Sequence, residues 1–423
     1  MNLRTHRTLD DWLEVQQSVH PQSIDLGLAR ITKVARALGV DKARCPVITV
    51  GGTNGKGSVV AHADALLRAM GLSTGVFTSP HLVRYNERIC VNGAQVSDAD
   101  LVNAFDRIEA ARGDITLTYF EFSALAALLI FADRNVDVAV LEVGLGGRLD
   151  AVNMIDADVA VVASIGLDHR DWLGNTLEDI GREKAGIFRA GRPAVLGTRD
   201  MPGSVFDATA AVGARKVVAE EAFSWAVHPQ GWDYHGPGIT LEGLPPSALP
   251  GAIQYRNAAT AIAAVESLGI GRPITAEAVS AALRGVKLPG RFQIVPGPVE
   301  WILDVCHNEP AAQVFAAHLA ARPCSGRTLA VVGILGDKDI PAIGRVLHPL
   351  IDHWILCSNS EPRGIPAEEL ARRLALGNAS VELASSAHAG FEAARARAVP
   401  GDRVVACGGF HMVGSALEWL RIY

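Results

Sequence analysis

Residues 51–58 have the composition of a loop that binds phosphate. The segment follows a short apolar run and reads Gly51-Gly52-Thr53-Asn54-Gly55-Lys56-Gly57-Ser58. Backbone N–H groups in a glycine-rich turn, together with the N-terminus of a following helix, can surround an anion. Lys56 would place a positive charge on the outer phosphates, and the hydroxyl of Ser58 could approach Mg²⁺. These residue types predict a nucleotide site.

The strict Walker spacing is broken at two places in this segment. Val50 stands where that motif has its first glycine, and Gly57 stands where it has serine or threonine. A glycine-rich turn that only closes a strand–helix corner is therefore the alternative interpretation. Its place between a strand-like run and a helix-like run favours phosphate binding.

Three further polar residues follow or end apolar runs of parallel-strand character. They are Ser79, Glu142 and His169. The carboxyl ends of parallel strands meet at one edge of a sheet, where ligands bind in doubly wound folds. An oxygen, a carboxylate and an imidazole form a plausible site for Mg²⁺ or Mn²⁺. Taken alone, His169 is better interpreted as a hydrogen-bonded loop histidine, whereas the carboxylate of Glu142, at the end of an apolar run, needs a partner.

The elements that must position these residues alternate between strand-like and helix-like patterns. Apolar, β-branched runs predict strands at 46–50, 73–78, 136–143 and 157–165. Helical spacing predicts helices at 24–38, 59–70, 119–132 and 257–268. Residues 200–250 are less regular and predict loops or a small antiparallel sheet. The alternation is that of a doubly wound α/β domain of the P-loop type.

A second alternation begins after a segment with linker chemistry, Leu288-Pro289-Gly290-Arg291. Strand-like runs at 299–305, 328–334, 353–357 and 403–407 are separated by helix-like runs. This pattern predicts a smaller Rossmann-like α/β domain. We therefore expect an N-terminal domain over 1–289 and a C-terminal domain over 290–423.

Composition excludes several classes of protein. The formal net charge of −6 argues against a general nucleic-acid or membrane-surface protein, because both need a basic face. No apolar segment of the kind found in secretory signals occurs in residues 1–19, and no uncharged apolar run could span a bilayer. The six cysteines are scattered without a C-x-x-C pair, which favours reduced thiols and a cytoplasmic enzyme.

The phosphate loop resembles a family motif, and further blocks extend the resemblance. Gly52–Ser58 is similar to the G-T-N-G-K-G-S/T loop of the folylpolyglutamate synthase family, relatives of the Mur ligases. Other similar blocks lie in order at 79–88, 141–151, 167–169, 182–187, 289–292 and 304–308. Single blocks are moderately specific, but all of them together identify the chain as a member of this family.

The resemblance implies roles for individual residues. It implies ATP binding by Thr53, Asn54, Gly55, Lys56, Gly57, Ser58, Asn257, Arg291 and Asp304. It implies metal binding by Ser58, Ser79, Glu142 and His169, and catalysis by Lys56, Lys184, His169, Asp304 and His307. Lys184 alone would be an ordinary exposed helix lysine, but the family match implies a carbamylated lysine. Implied cofactors are ATP and Mg²⁺, with a second Mg²⁺ and a K⁺ left open.

The substrate side is likewise argued by resemblance. Segments similar to those that hold dihydropteroate contribute Ile24, Asp25, Leu26, Arg84, Thr118, Tyr119, Phe120, Glu121, Leu149, Asp150 and Ala151. Phe120 could stack on a pterin ring, or could equally be a core residue of its apolar helix. The implied enzyme is a monomer that ligates L-glutamate to dihydropteroate and to reduced folates through an acyl phosphate.

Two alternatives remain open at this stage. One is a Mur-type ligase for another carboxylate, although such enzymes usually carry an extra N-terminal domain. The other is a nucleotide-binding ATPase without ligase activity. Two positions depart from the family pattern: Glu309 displaces a proline after His307-Asn308, and Cys306 replaces a common alanine as a core residue.

Overall fold

The computed structural model describes residues 7–22 and 24–423 and divides into two units. The first unit comprises the described residues up to Gly166 together with Arg170–Ala248 and Gln254–Val286, and the second comprises Leu167–His169, Leu249–Ile253 and Lys287–Tyr423. The domain boundary expected between residues 289 and 290 stays a prediction.

Ten α-helices and eleven strands make up the described part of the first unit. The helices are α1 Leu9–Val19, α2 Ala29–Leu38, α3 Lys56–Ala69, α4 Asp98–Arg112, α5 Tyr119–Arg134, α6 Arg170–Leu173, α7 Leu177–Ala185, α8 Gly203–Val212, α9 Ile253–Leu268 and α10 Ala276–Gly285. The strands are β1 Val47–Gly51, β2 Thr74–Phe77, β3 Ile89–Val91, β4 Ala94–Gln95, β5 Val138–Glu142, β6 Val159–Val162, β7 Pro193–Leu196, β8 Arg215–Val218, β9 Ser224–His228, β10 Gly231–His235 and β11 Thr240–Leu244.

Eight of these strands form one sheet in the order β4-β3-β2-β5-β1-β6-β7-β8. Strands β2, β5, β1, β6, β7 and β8 pair in parallel with their neighbours in this order. Strands β3 and β4 pair antiparallel at the other edge, next to β2. Every residue of β1, β5 and β6 is buried, because helices cover both faces of a doubly wound sheet. The doubly wound α/β fold is confirmed. Strands β9, β10 and β11 form the separate antiparallel sheet expected between residues 200 and 250.

Helix α5 has apolar residues on every face, which explains why it is buried in the core. Thr118 and Glu121 form a capping box at its start, and every residue from Glu121 to Phe131 is buried. Fully burying one such Leu or Phe side chain contributes about 2 kcal/mol to folding. The predicted buried helix at 119–132 is confirmed.

Several predicted element bounds were wrong for reasons visible in the backbone. Helix α2 begins at Ala29 rather than at residue 24, because Gly27 has φ +159° and Asp25 pairs with Arg30 ahead of the helix. Helix α3 begins at Lys56 because Gly55 caps it with φ +87°. Helix α1, which sequence reasoning missed, starts from a Thr8 capping box and buries Trp12.

The second unit is a smaller α/β unit. Its strands are β12 Gln293–Val295, β13 Glu300–Asp304, β14 Thr328–Val332, β15 His353–Cys357, β16 Ser380–Ala384 and β17 Arg403–Cys407. Its helices are α11 Glu309–Ala320, α12 Ile340–Leu347, α13 Ala367–Leu374, α14 Ala387–Arg397 and α15 Phe410–Leu420. The sheet order is β12-β13-β17-β14-β15-β16, parallel except for β12. This confirms the second α/β domain.

Two further expectations concern membranes and thiols. None of the helices in the described residues combines the length and the apolar character needed to cross a membrane. All six cysteines are free thiols, and Cys306, Cys357 and Cys407 are buried.

Candidate functional site

The predicted phosphate loop joins β1 to α3. Helix α3 begins without a side-chain cap, so its first N–H groups have no side-chain acceptor. The ammonium of Lys56 donates to the carbonyl oxygens of Gly52 and Thr53, at 3.1 and 3.3 Å. It forms no ion pair with any carboxylate of residues 7–22 and 24–423. Unpaired donors and one cation at a helix start are the groups that a nucleotide phosphate would satisfy.

The loop takes its shape from the segment that follows β6. The N–H of Thr53 donates to the carbonyl of Ser164 at 2.7 Å, and its hydroxyl donates to the carbonyl of Gly166 at 3.0 Å. Gly52 has φ +137°, and a Cβ there would lie 3.1 Å from the backbone nitrogens of Ala163 and Ser164. Only glycine permits this close approach, so the glycines set the loop path.

Asn257, the predicted adenine residue, also belongs to the first unit. It is buried on α9 and its amide donates to the side chain of Gln254 at 3.0 Å. Its Oδ1 lies so close to Gly55 that a Cβ on that glycine would come within 3.0 Å. The structure therefore brings Asn257 to the phosphate loop, from about 200 residues away along the chain.

Two predicted metal ligands lie together at the carboxyl end of the sheet. Glu142 is the last residue of β5 and 5% exposed, and the N–H of Ser79 donates to its Oε2 at 3.3 Å. A carboxylate and a hydroxyl are the oxygen donors that Mg²⁺ prefers, so this pair fits such an ion. No cluster of three His, Cys, Asp or Glu suited to a metal occurs within the described chain. The four predicted metal ligands differ from such a cluster, because two of them, Ser58 and Ser79, are serines.

His169 and His307 belong to the second unit, where both contact Asp168. His169 has a left-handed backbone with φ +51°, and its N–H donates to Asp168 Oδ1 at 2.8 Å. The Nδ1 of His307 lies 2.9 Å from the carbonyl of Val305, and its Nε2 lies 3.5 Å from Asp168 Oδ2. Burial raises the pKa of Asp168, but the hydrogen bond from His307 and the charges of His169 and Lys338 outweigh it, so the pKa is lowered strongly.

Asp304 ends β13, next to Arg291. Its carboxylate accepts the N–H groups of Phe292 and Cys306, both at 2.8 Å. Burial raises the pKa of Asp304, while the charge of Arg291 and the two N–H groups oppose that rise. The guanidinium of Arg291 also lies 5.2 Å from the ring of Phe410. The structure thus places these two predicted nucleotide residues side by side in the second unit.

The two departures from the family pattern have simple structural explanations. Glu309 and Pro310 form the first turn of α11, where proline is well tolerated, and Asn308 caps that helix. Cys306 is buried, and a hydrogen bond with Cys407 together with burial raises the pKa of its thiol. A thiol with a raised pKa is a poor nucleophile, which agrees with a core role for Cys306.

Lys184 lies on α7, where only 5% of it is exposed. The interpretation of Lys184 as an ordinary exposed helix lysine was therefore wrong. The N–H of Arg148 donates to the carbonyl of Glu183 at 2.9 Å, so the blocks at 141–151 and 182–187 lie against each other. The charge of Lys184 also acts on Asp150, since it opposes the rise that burial gives to the pKa of that carboxyl.

Nine of the eleven predicted substrate residues fall into two groups. In one, Arg30 forms ion pairs with Asp25 and with buried Glu121, near half-buried Ile24 and Leu26 and next to Thr118. In the other, Phe120 and Asp150 lie at Gly144, where a Cβ would come within 2.6 and 3.3 Å of their side chains. Leu149 is half-buried and Ala151 is buried beside Asp150. The side chain of Phe120 therefore reaches the glycine-rich segment after β5.

Arg84 and Arg88, four residues apart, differ in environment. Arg84 is about half exposed and pairs with exposed Asp98 at 2.9 Å. Arg88 is 8% exposed, donates to His81 Nδ1 at 2.8 Å and lies 5.4 and 5.2 Å from the rings of Tyr85 and Tyr119.

Arg88 makes no ion pair with a carboxylate in the described residues. Its acceptor is neutral, because burial and the charge of Arg88 lower the pKa of His81 to about 4. Arg84 stays a predicted substrate residue, and sequence reasoning gave no role to Arg88, Arg30, Asp168 or Lys338. The only available signal for Arg88 was its place at the end of the block at 79–88.

Two family models match the chain. The Mur ligase middle domain matches residues 50–265, and the Mur ligase glutamate ligase domain matches residues 290–410. Among curated proteins, the dihydrofolate synthase/folylpolyglutamate synthase of Escherichia coli K12 is 43% identical over 410 residues, which is 97% of this chain and 95% of that protein. The Bacillus subtilis protein of the same name is 31% identical over 84% of this chain and 86% of its own.

Solved structures give the same result. Escherichia coli FolC in complex with DHPP and ADP superposes with a TM-score of 0.93, at 42% identity over 98% of both chains. The Yersinia pestis bifunctional folylpolyglutamate synthase/dihydrofolate synthase complexed with AMPPNP and Mn has a TM-score of 0.91, at 41% identity over 100% of both chains. The similarity thus extends over both units.

Proposed function

The chain belongs to the dihydrofolate synthase/folylpolyglutamate synthase family of Mur ligases, and from this premise we propose that it is an ATP-dependent carboxylate–amine ligase. It joins L-glutamate to dihydropteroate, forming dihydrofolate, and extends reduced folates by further glutamates. The observation that carries the proposal is the phosphate loop, where α3 begins without a side-chain cap and the ammonium of Lys56 has no carboxylate partner among the described residues.

The reaction has two steps. An oxygen of the substrate carboxylate attacks the γ-phosphorus of ATP, which forms an acyl phosphate and releases ADP. The amino nitrogen of L-glutamate then attacks the acyl carbon, loses a proton and expels phosphate, which leaves an amide. The protein contributes placement and charge neutralisation rather than covalent chemistry. Lys56 neutralises charge on the outer phosphates, with Arg291 proposed as a second phosphate contact.

Ser58, Ser79, Glu142 and His169 are the proposed metal ligands. The adjacent Ser79 and Glu142 support this assignment through their oxygen donors. When bound, Mg²⁺ supplies charge neutralisation on the phosphates of ATP. We further propose carbamylation of Lys184, which its burial supports, because a buried lysine has a less stable ammonium form. Intact-mass spectrometry with and without bicarbonate tests this, and a bare amine under both conditions excludes it.

Substrate-dependent ADP release is the test of the proposed reaction. Purified protein is given ATP, Mg²⁺ and L-glutamate, with dihydropteroate in one series and a reduced folate in another. Both series are expected to release ADP in proportion to the amide formed. Release without any carboxylate substrate would indicate the non-ligase ATPase, and release only with another carboxylate would indicate a different Mur-type ligase.

A cytoplasmic location completes the proposal. The six free cysteines support it, because thiols persist in a reducing compartment.

A further inference from the structure

A buried carboxylate that neither reaction step uses lies in the second unit. The side chain of Asp168 is 8% exposed, and Lys338 Nζ donates to its Oδ1 at 2.7 Å. Asn308 Nδ2 donates to its Oδ2 at 2.9 Å, and His307 Nε2 lies 3.5 Å from the same oxygen. Its Oδ1 also accepts the backbone N–H of His169 at 2.8 Å. One carboxylate thus contacts four residues.

Charge compensation explains the contact with Lys338. The side chain of Lys338 is 6% exposed, so its ammonium has lost most of its water and requires a nearby anion. Asp168 is that anion at 2.7 Å, whereas the carboxylate of Asp337 lies at 3.8 Å and pairs with Arg363 at 2.8 Å. The position of the lysine is therefore set chiefly by Asp168.

The contacts with His307 and Asn308 fix two side chains at the start of α11. The Nδ1 of His307 lies 2.9 Å from the carbonyl of Val305, which leaves Nε2 directed at Asp168. The side-chain oxygen of Asn308 accepts the N–H of Ala311 at 3.0 Å, while its amide nitrogen donates to Asp168. Each side chain is held at both ends, so neither can rotate without losing a contact.

The contact with His169 acts on the backbone. A non-glycine residue at φ +51° carries a conformational cost, which the surrounding contacts must offset. The carboxylate of Asp168 accepts the N–H of the very next residue and so stabilises this local turn. The backbone conformation of this turn sets the orientation of the His169 side chain.

We propose that Asp168 is a positioning residue for ligation, which orients Lys338, His307 and Asn308 and also sets the backbone of His169. This inference rests on the proposed function, because His307 and His169 are site residues of that reaction. Asp168 itself need not touch the substrate. Its role is to hold in place several groups that the second unit contributes, so its loss should slow chemistry more than it weakens nucleotide binding.

Asp168→Asn tests the proposal, since asparagine keeps the shape and one oxygen acceptor but loses the charge. We expect kcat for ADP release with dihydropteroate to fall about 100-fold, and the Kd for ADP to stay within about threefold. Asp337→Asn is the matched control, because it removes the more distant carboxylate of Lys338, and its kcat should stay within about twofold. Turnover is expressed per nucleotide-binding molecule, so that loss of folded protein does not count as loss of kcat.

Asp168→Glu guards against a variant that fails to fold. It retains a carboxylate for Lys338 but displaces it by one methylene, so we expect a folded protein with kcat lowered about tenfold. Wild-type kcat per nucleotide-binding molecule in both Asp168 variants would overturn the proposal. Wild-type kcat in both variants is the result expected if Asp168 only stabilises the fold through its ion pair with Lys338.

A measurement independent of turnover separates this proposal from the proposed function. The ring ¹⁵N resonances of His307 and His169 should shift in Asp168→Asn and stay unchanged in Asp337→Asn. Unchanged rings in Asp168→Asn would overturn the positioning role, whether or not the enzyme turns over. Absence of ADP release from wild-type protein with every pteroate and folate would instead reject the proposed reaction, and the ring shifts would still decide the role of Asp168.

Discussion

The two units differ in what surrounds the cations at and near their proposed site residues. In the first unit, Lys56 faces carbonyl oxygens and Arg88 faces a neutral histidine and two aromatic rings, with no carboxylate paired to either in the described chain. In the second unit, Lys338 is paired with Asp168 at 2.7 Å. Lys56 is half-buried and Arg88 is buried, and a cation that has lost water without gaining a carboxylate is unfavourable, so the first unit is suited to bind an anion. The second unit has its countercharge built in and is suited to orient groups.

The largest expected effect concerns Lys56, the clearest unpaired cation. Lys56→Ala should lower kcat by about 10³-fold, because it removes the charge proposed to neutralise the outer phosphates. ADP release with glutamate and dihydropteroate measures this, and circular dichroism should show an unchanged fold. Lys42→Ala, which alters an exposed lysine of the same unit, is the control and should retain full activity. Near-normal turnover of Lys56→Ala would remove the loop from the mechanism.

The second-largest expected effect concerns Arg88, which can be compared with Arg84 in the same block at 79–88. Arg88→Met should lower kcat/KM for dihydropteroate by about 100-fold, because a buried guanidinium without a carboxylate partner is available to a substrate carboxylate. Arg84→Met should lower it less, by about threefold, since the guanidinium of Arg84 is about half exposed and already pairs with Asp98. Steady-state kinetics with dihydropteroate as the varied substrate compare the two. Equal losses in both variants would contradict the distinction drawn from burial.

The smallest effect concerns Asp150, a buried carboxyl of the first unit. Burial raises its pKa to about 6, against opposing N–H donors of Leu145, Val152 and Gly144. A raised pKa means that this group stabilises the folded state below its unfolded pKa and that the contribution is lost as pH rises through about 6.

Between pH 5 and pH 7.5, Asp150 should therefore remove about 1 kcal/mol from the free energy of unfolding. Urea unfolding at the two pH values measures this for the wild type and for Asp150→Asn. The variant should lack this pH-dependent loss. The same pH dependence in both proteins would show that Asp150 is not the titrating group.

Much of the architecture could be predicted because periodicity and turn chemistry act locally. Strands β15 and β17 have the bounds expected from their apolar runs, 353–357 and 403–407. The predicted bounds were least accurate at the starts of helices. Helix α3 begins at Lys56, three residues before the predicted start at residue 59, because the backbone conformation of Gly55 sets where the helix begins.

Sequence alone could propose site residues only where the residue type and its place along a strand or loop indicate the chemistry, as for Lys56 and Glu142, whose roles stay predictions. Asp168, Arg88 and the burial of Lys184 could not be predicted, because each depends on which side chains fold against it. The ammonium of Lys338, which decides the environment of Asp168, comes from 170 residues further along the chain.

The bonds between Thr53 and the segment after β6 have a consequence for folding. They join the phosphate loop to residues more than 100 positions away, since Thr53 and Gly166 are separated by 113 residues. Closing so long a stretch of chain is a slow step, and contacts of this range form late in folding. A nascent chain that ends before β6 would carry the entire glycine-rich motif and still lack the conformation that receives phosphate. The ability to retain nucleotide should thus appear together with docking of β6, which would make ADP binding a reporter of tertiary assembly in this unit.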